Sequence, residues 1–507
     1  MKKALAIAGI LALTITPRAS LADHLEPKES GIRPGGDLFH TNLRGRNLSG
    51  ADLSDANVSF SNLSGAILKR ASLSSANLSN ADLSGADLSG ADLSDTNLSG
   101  ANLGIADLSG ADLSGAILKR ADLDSADLSG SNLSGADLSD TNLGNVDLGI
   151  ADLSNADLSG AYLSGAILKR TDLVSAILSD AILSGANLDS ADLSGSNLSG
   201  ADLSGANLGY ADLSDTNLGN AELSNANLGN ADLSNANLTG AILNNTDLSG
   251  SILKRAELVS ANLSGAILKR AELDSANLSG ASLSGSDLSG AILKRAELVS
   301  ASMSNANLSG ADLSDANVSF SSLRSVILND ANLSNADLSG AILKRAELVS
   351  ASMSNANLSG AKLSGVDLSG AILQRAELVS ASMSNANLSG ADLSDANMSF
   401  SSLSSANLDS SDLSGANLSG ADLSGAELVS ASMSNANLSG ADLSDANVSF
   451  SSLSSANLSG ADLSGASLSG ADLSGAELRD ITATNISGCP ISLPRGWVCQ
   501  NNSLIQP

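Results

Sequence analysis

The feature that most constrains this chain is a five-residue register that runs from Gly36 to Asp480 without a slip, 89 consecutive pentapeptides. Typical units are Ala-Asp-Leu-Ser-Gly at 81–85 and Ala-Asn-Leu-Ser-Gly at 306–310. The third position is Leu in 81 units, with Val58, Val318 and Val448 and five Met in the others. The first position is Ala in 69 units, and most of the rest carry Ser, Thr or Val. A period of five fits neither a helix nor a long strand, and a fixed internal period has to be explained before any other signal. Within a unit the first three residues alternate small-apolar, polar, large-apolar, which is a very short extended segment with Ala and Leu on one side. Ser and Gly follow, and these residues suit a turn. Each unit thus makes one side and one corner, and the chain winds into a coil with its Leu inside. Successive coils then stack at about 4.8 Å. A column of Leu and Ala also explains the composition. Five Phe, two Tyr and one Trp in 507 residues are too few for the roughly three conventional domains such a length would make.

The A-[DN]-L-x-x unit resembles the pentapeptide repeat family, over 445 of the 507 residues. The resemblance implies an all-β fold, a right-handed quadrilateral β-helix with four pentapeptides per coil. On that geometry the array makes about 22 coils and a rod of roughly 105 Å. Arg46, a charge in the first position, predicts an irregular first coil. The stretch 301–323 recurs at 381–403, with Met398 for Val318, and at 431–453. The second offset is not a multiple of twenty and places its copy on the opposite face. Copies set without regard to face point to bulk structure rather than one dedicated active surface.

Both ends differ from the array. Lys2 and Lys3, the apolar stretch Ala4 to Leu13, and Ala19-Ser20-Leu21-Ala22 have the three-part layout of a secretory signal peptide, 1–22. Residues 23–35 read as an irregular lead-in, 36–480 as the solenoid, and 481–507 as a C-terminal cap. Register is expected to break near Ile481, with 484–488 a repeat-like unit shifted in phase. Export into an oxidising compartment allows a Cys489–Cys499 disulfide, and Trp497 is expected on the last coil. The mature chain is expected to be periplasmic or secreted, without an integral membrane segment, and a monomer or weak dimer.

Catalytic chemistry is hard to place. His24 and His40 are the only histidines, no Gly-x-Ser-x-Gly elbow occurs, and no phosphate-binding loop is spelled. Two Cys do not make a zinc site. The expectation is no enzyme and no cofactor. The Asn-Leu-Ser triplets match a glycosylation acceptor, but they fall out of the repeat. Basic residues gather in Ala-Ile-Leu-Lys-Arg units starting at Ala66, Ala116, Ala166, Ala266, Ala291 and Ala341, with variants at Ser251 and Ala371. They fall on different faces, and several are followed at once by Glu, as in Lys294-Arg295-Ala296-Glu297. This reads as solvated surface, with adhesion to an acidic surface as the other reading. Phe60, Phe320, Phe400 and Phe450 stand in fifth positions, facing out or lining a corner.

With twenty residues per coil, Asp152, Asp172, Asp192, Asp212 and Asp232 form one outward column, and Asp87, Asp107, Asp127 and Asp147 another. Like charges about 4.8 Å apart predict raised carboxyl pKa values, and stability that rises as pH falls toward the Asp range. The first column is also a weak candidate for Ca²⁺ association, though no pre-shaped calcium loop is present. Net charge is −28, which disfavours nucleic acid and anionic membranes. The reading is an exported, non-catalytic structural or interaction solenoid with long flat acidic faces, its partner an unknown protein or envelope surface. The alternative is an acidic DNA mimic resembling the gyrase-protecting pentapeptide proteins.

Overall fold

The computed structural model describes residues 32–506, so the signal-like segment 1–22 and most of the lead-in lie outside the described residues. The chain divides into two compact units, Met1–Ile252 and Leu253–Pro507, and both follow one local plan. No helix occurs among the described residues. The two named strands, β1 (Val498–Gln500) and β2 (Ser503–Ile505), lie in the C-terminal tail. Elsewhere the extended part of each unit is a single parallel bridge between second positions twenty residues apart. These run from Asp37↔Asn57 to Asp232↔Ile252 in the first unit and from Glu257↔Asn277 to Asp472↔Ser492 in the second. Four pentapeptides therefore make one coil.

The unit 81–85 shows where the backbone hydrogen bonds go. Ala81 N–H donates to Leu78 O (3.0 Å) and closes the preceding turn. Asp82 N–H donates to Ser61 O in one neighbouring coil (2.9 Å), and Leu83 N–H to Asn102 O in the other (2.7 Å). Gly85 N–H also crosses, to Gly104 O (2.9 Å). Only the fourth N–H lacks a backbone acceptor. It donates instead to the Oδ1 of Asp82 in the same unit (3.1 Å), which takes the Ser84 hydroxyl as well (2.7 Å). A short polar side chain can mimic a turn in this way. That is the physical reason for Asp or Asn second and Ser fourth.

The fifth position completes the corner. Its φ is positive in all 89 units, with Gly in 36 and another residue in 53, as the third residue of a type II turn requires. Gly is the residue with no penalty there, and Asn and Asp tolerate it best among the others. Every third-position side chain is buried. Fourteen first-position Ser and Thr are buried too, and thirteen of them donate their hydroxyls to third-position carbonyls. Thr96 and Thr141 donate to the coil below, at Leu73 O (2.8 Å) and Leu118 O (2.9 Å). Ser286 and Ser411 donate within their own turn, to Leu283 O (2.6 Å) and Leu408 O (2.7 Å). Ser196 Oγ alone among the fourteen has no partner.

The first coil is regular, against the expectation from Arg46. Arg46 N–H donates to Leu43 O (3.1 Å) and its carbonyl accepts from Ile67 N–H (2.8 Å). Its backbone meets every demand of the ladder, while its side chain is half-buried. The C-terminal end also differs from its reading. Pairing continues past Asp480 in the original phase, through Asp462↔Thr482, Ser467↔Ser487 and Asp472↔Ser492. What changes is which inward position carries bulk. Ile486 is buried in a first position and Ala483 in a third, so large and small exchange places without a phase shift. The hairpin β1–β2 follows, turning at Asn501 and Asn502, both with positive φ. Leu504 N–H donates to Ala483 O (3.2 Å) and Ile486 N–H to Asn502 O (2.9 Å), which ties the hairpin to the last turns. Cys489 and Cys499 are disulfide-bonded with Cα atoms 6.0 Å apart, as expected. Trp497 is half-buried in the same tail.

Candidate interaction surface

Second-position side chains point outward and stack one per coil, so the surface is read column by column. Asp152, Asp172, Asp192, Asp212 and Asp232 are joined by successive bridges, and so are Asp87, Asp107, Asp127 and Asp147. Both expected columns exist. Their carboxylates are nonetheless committed to their own turns: Asp152 Oδ1 accepts from Ser154 N–H, Asp192 from Ser194 and Asp212 from Ser214, each at 2.9 or 3.0 Å. Among the described residues no group of three or more His, Cys, Asp or Glu is placed to hold a metal ion.

Where a column carries Asn, the amides pair along the stack. Asn207 Nδ2 donates to Asn187 Oδ1 (3.2 Å) and Asn227 Nδ2 to Asn207 Oδ1 (2.9 Å). Asn above an acid works equally well. Asn142 Nδ2 donates to Asp122 (2.8 Å), and Asn277, Asn317, Asn397 and Asn447 each donate to a Glu one coil below.

Four of the Lys-Arg units share an offset that chain order does not show: Lys in the fourth position reaches the second position of the next coil, eighteen residues on, whereas Lys169 pairs with Asp189, twenty residues on (3.2 Å). Lys69 pairs with Asp87 (3.1 Å), Lys254 with Glu272 (2.6 Å), Lys269 with Asp287 (3.3 Å) and Lys294 with Asp312 (3.2 Å). Gln374, standing where Lys stands elsewhere, donates to Asp392 (2.5 Å). Lys294 therefore pairs with the coil above and not with Glu297, its neighbour in sequence. The offset was there to be found once twenty residues are assigned to a coil.

These contacts set the carboxylate acidities. Burial raises the Asp87 carboxyl, but the Ser89 hydroxyl and N–H and the Lys69 ammonium together hold it below its ordinary value. Asp287 and Asp312 are held down against burial in the same way, by Ser289 with Lys269 and by Ser314 with Lys294. Asp392 is lowered through Ser394 and Gln374. For Asp87 the expected rise is thus reversed, because the Ser89 donors and the Lys69 ammonium outweigh the effect of burial.

The fifth-position Phe residues are exposed: Phe320 and Phe450 by 67% and Phe400 by 70%. Each lies over a glycine twenty residues on. A Cβ at Gly340, Gly420 or Gly470 would sit 2.7 to 2.9 Å from the ring of Phe320, Phe400 or Phe450. Phe60 packs edge-on with Phe39, ring centroids 5.9 Å apart, and His40 lies beside both.

The outward face is thus a lattice of short polar groups, largely committed to turns and to neighbouring coils. A family model described as pentapeptide repeats matches in segments from 37–70 to 441–480. No curated protein matches the sequence. Among solved structures, HetL, a pentapeptide repeat protein involved in heterocyst differentiation regulation in Nostoc sp. strain PCC 7120, is 36% identical. That match covers 46% of this chain and 90% of HetL, with a TM-score of 0.22. A pentapeptide repeat protein of the Arabidopsis thaliana thylakoid lumen is 38% identical over 18% of this chain and 66% of its own, TM-score 0.12. QnrB1, a plasmid-mediated fluoroquinolone resistance protein, is 23% identical over 40% of this chain and 88% of its own, TM-score 0.23. With its repeat matched along nearly its whole length, the chain belongs to the pentapeptide repeat family.

Proposed function

We propose that this chain is an exported, non-catalytic interaction or structural protein that presents flat, predominantly acidic faces to a protein or envelope partner. The observation that carries the reading is the use made of its polar groups. Asp, Asn and Ser are spent on capping turns and laddering coils, which leaves a repeating surface suited to contact. Net charge −28 sets the sign of that surface. Export rests on the layout of residues 1–22, and the Cys489–Cys499 bond agrees with an oxidising compartment. The same net charge favours one second reading, a DNA-mimicking inhibitor of gyrase.

Expression of the full chain in a bacterium, followed by fractionation and mass measurement of the mature N-terminus, separates the two. The proposal expects a chain beginning near Asp23 outside the cytoplasm and no effect on gyrase supercoiling. A full-length cytoplasmic chain that inhibits supercoiling would overturn it in favour of the mimic.

A further inference from the structure

Eight consecutive coils of the second unit carry one face with no carboxylate. Its pentapeptides begin at residues 261, 281, 301, 321, 341, 361, 381 and 401, and none contains Asp or Glu. Bridges Asn262↔Ser282, Ser302↔Ser322, Ile342↔Lys362 and Ser382↔Ser402 stack them directly. In a chain of net charge −28 this face is exceptional, and four cations stand on it: Arg324, Lys344, Arg345 and Lys362. All four are exposed.

The eighteen-residue offset shows how they differ from the acid-paired lysines. Lys254, Lys269 and Lys294 each find an acid in the next coil. The corresponding partner of Lys344 is Lys362. Arg324 stands one coil before Lys344, with Ser325 N–H donating to Lys344 O (3.1 Å), and its own eighteen-residue neighbour is Ile342. None of the four is in an ion pair among the described residues. In sequence the next acids are Asp330 after Arg324, Glu347 after Arg345 and Asp367 after Lys362, all in the pentapeptide row that follows, and Glu347 accepts from Asn329 (3.4 Å). Hydroxyl pairs flank the cations along the face. Ser284 with Ser302 and Ser304 with Ser322 lie on one side (both 3.0 Å), and Ser364 with Ser382 (3.1 Å) and Ser384 with Ser402 (2.9 Å) on the other.

We propose that this face binds a linear polyanion bearing phosphate or sulfate groups, with Arg324, Lys344, Arg345 and Lys362 as its contacts and the flanking serines as hydroxyl donors. Three successive coils offer a cation each, about 4.8 Å apart, which suits closely spaced oxyanions on one chain better than a single ion. Arg adds a planar fork for oxyanion oxygens. The screening length at physiological salt is about 8 Å, so acids beyond the two ends of the carboxylate-free stretch act only weakly on the site. The proposal deepens the interaction reading and rests on it, but binding by the purified chain does not depend on export, so the two can fail separately.

The test is binding of long-chain inorganic polyphosphate and, separately, heparin to the purified chain across a salt series. The variant Arg324→Ser, Lys344→Ser, Arg345→Ser, Lys362→Ser uses the residue found at neighbouring ladder positions. The control Lys269→Ser, Arg270→Ser, Lys294→Ser, Arg295→Ser removes the same charge from acid-paired units. Melting curves establish that both variants fold. The expected result is binding that weakens with salt, falls by about tenfold or more in the first variant and changes by about twofold or less in the control. Preference for one probe assigns phosphate or sulfate as the group read. Failure of the unmodified chain to bind either probe at about 50 mM salt, or equal loss in both variants, overturns the proposal. So does sedimentation showing a dimer that the first variant dissociates while no polyanion binds, which assigns the face to a second copy.

Discussion

Asp107 shows how much work one second-position side chain performs. Its Oδ1 accepts both the N–H and the hydroxyl of Ser109, at 3.0 and 2.6 Å, while Asp87 and Asp127 stand directly below and above it. Asp107→Ala should lower the thermal midpoint by the equivalent of about 1 kcal/mol, the usual cost of losing a capping acceptor. Asp107→Asn keeps the acceptor, removes a like charge and supplies an Nδ2 donor toward Asp87, so it should raise the midpoint. Equal effects from the two substitutions would show that the acceptor is not what matters. Ser196 gives the converse case. Its buried hydroxyl has no partner, and such a group carries a desolvation cost without a return. Ser196→Ala should therefore leave stability unchanged or raised, whereas Thr96→Val, which deletes the bond to Leu73 O, should lower it by about 1 kcal/mol.

At the scale of the unit, the corner is where local and tertiary demands meet. Gly340 has φ +65 and would place a Cβ 2.8 Å from the Phe320 ring. Gly340→Ala should cost about 1–2 kcal/mol for the left-handed backbone, and more because the ring must move. In a Phe320→Ala background only the backbone part should remain, a non-additivity that melting of the double mutant measures. The core and the outward columns were legible in the sequence, because a strict period of five fixes what faces in and what stacks on what. The Lys69–Asp87 type of pair was not read, because it depends on the reach of a long side chain from a corner to the next coil. The true phase of 484–488 is hidden in the sequence for another reason. Ile486 and Ala483 carry bulk in exchanged positions, and a pattern search keyed to Leu in the third position sees a break where the backbone has none. The disulfide stands just beyond, and replacing Cys489 and Cys499 by Ser removes a constraint worth roughly 2.7 kcal/mol in the chain-entropy model. Faster hydrogen exchange confined to the tail, with the coils before it unchanged, is the expected outcome.

For the molecule as a whole, the surface charge raises a question of sign. Column repulsion alone predicts stability rising as pH falls. The carboxylates with displaced acidities move the other way, Asp87, Asp287, Asp312, Asp392, Asp462 and Asp472 all lying below 3.8 in the folded chain. A depressed folded pKa stabilises above the unfolded value, and that stability is lost as pH falls through the folded value. The melting midpoint should therefore decline below about pH 4, and a midpoint that rises there would return the account to simple repulsion. The acidic columns, the pairs between coils and the carboxylate-free face all require twenty residues to make one coil. Paired cysteines test it most directly: Asp152→Cys with Asp172→Cys should cross-link on mild oxidation, since their backbones are bridged and lie within disulfide reach. Asp152→Cys with Ile167→Cys or with Ile177→Cys should not. Efficient cross-linking at either of the latter spacings, with none at twenty, would contradict the account.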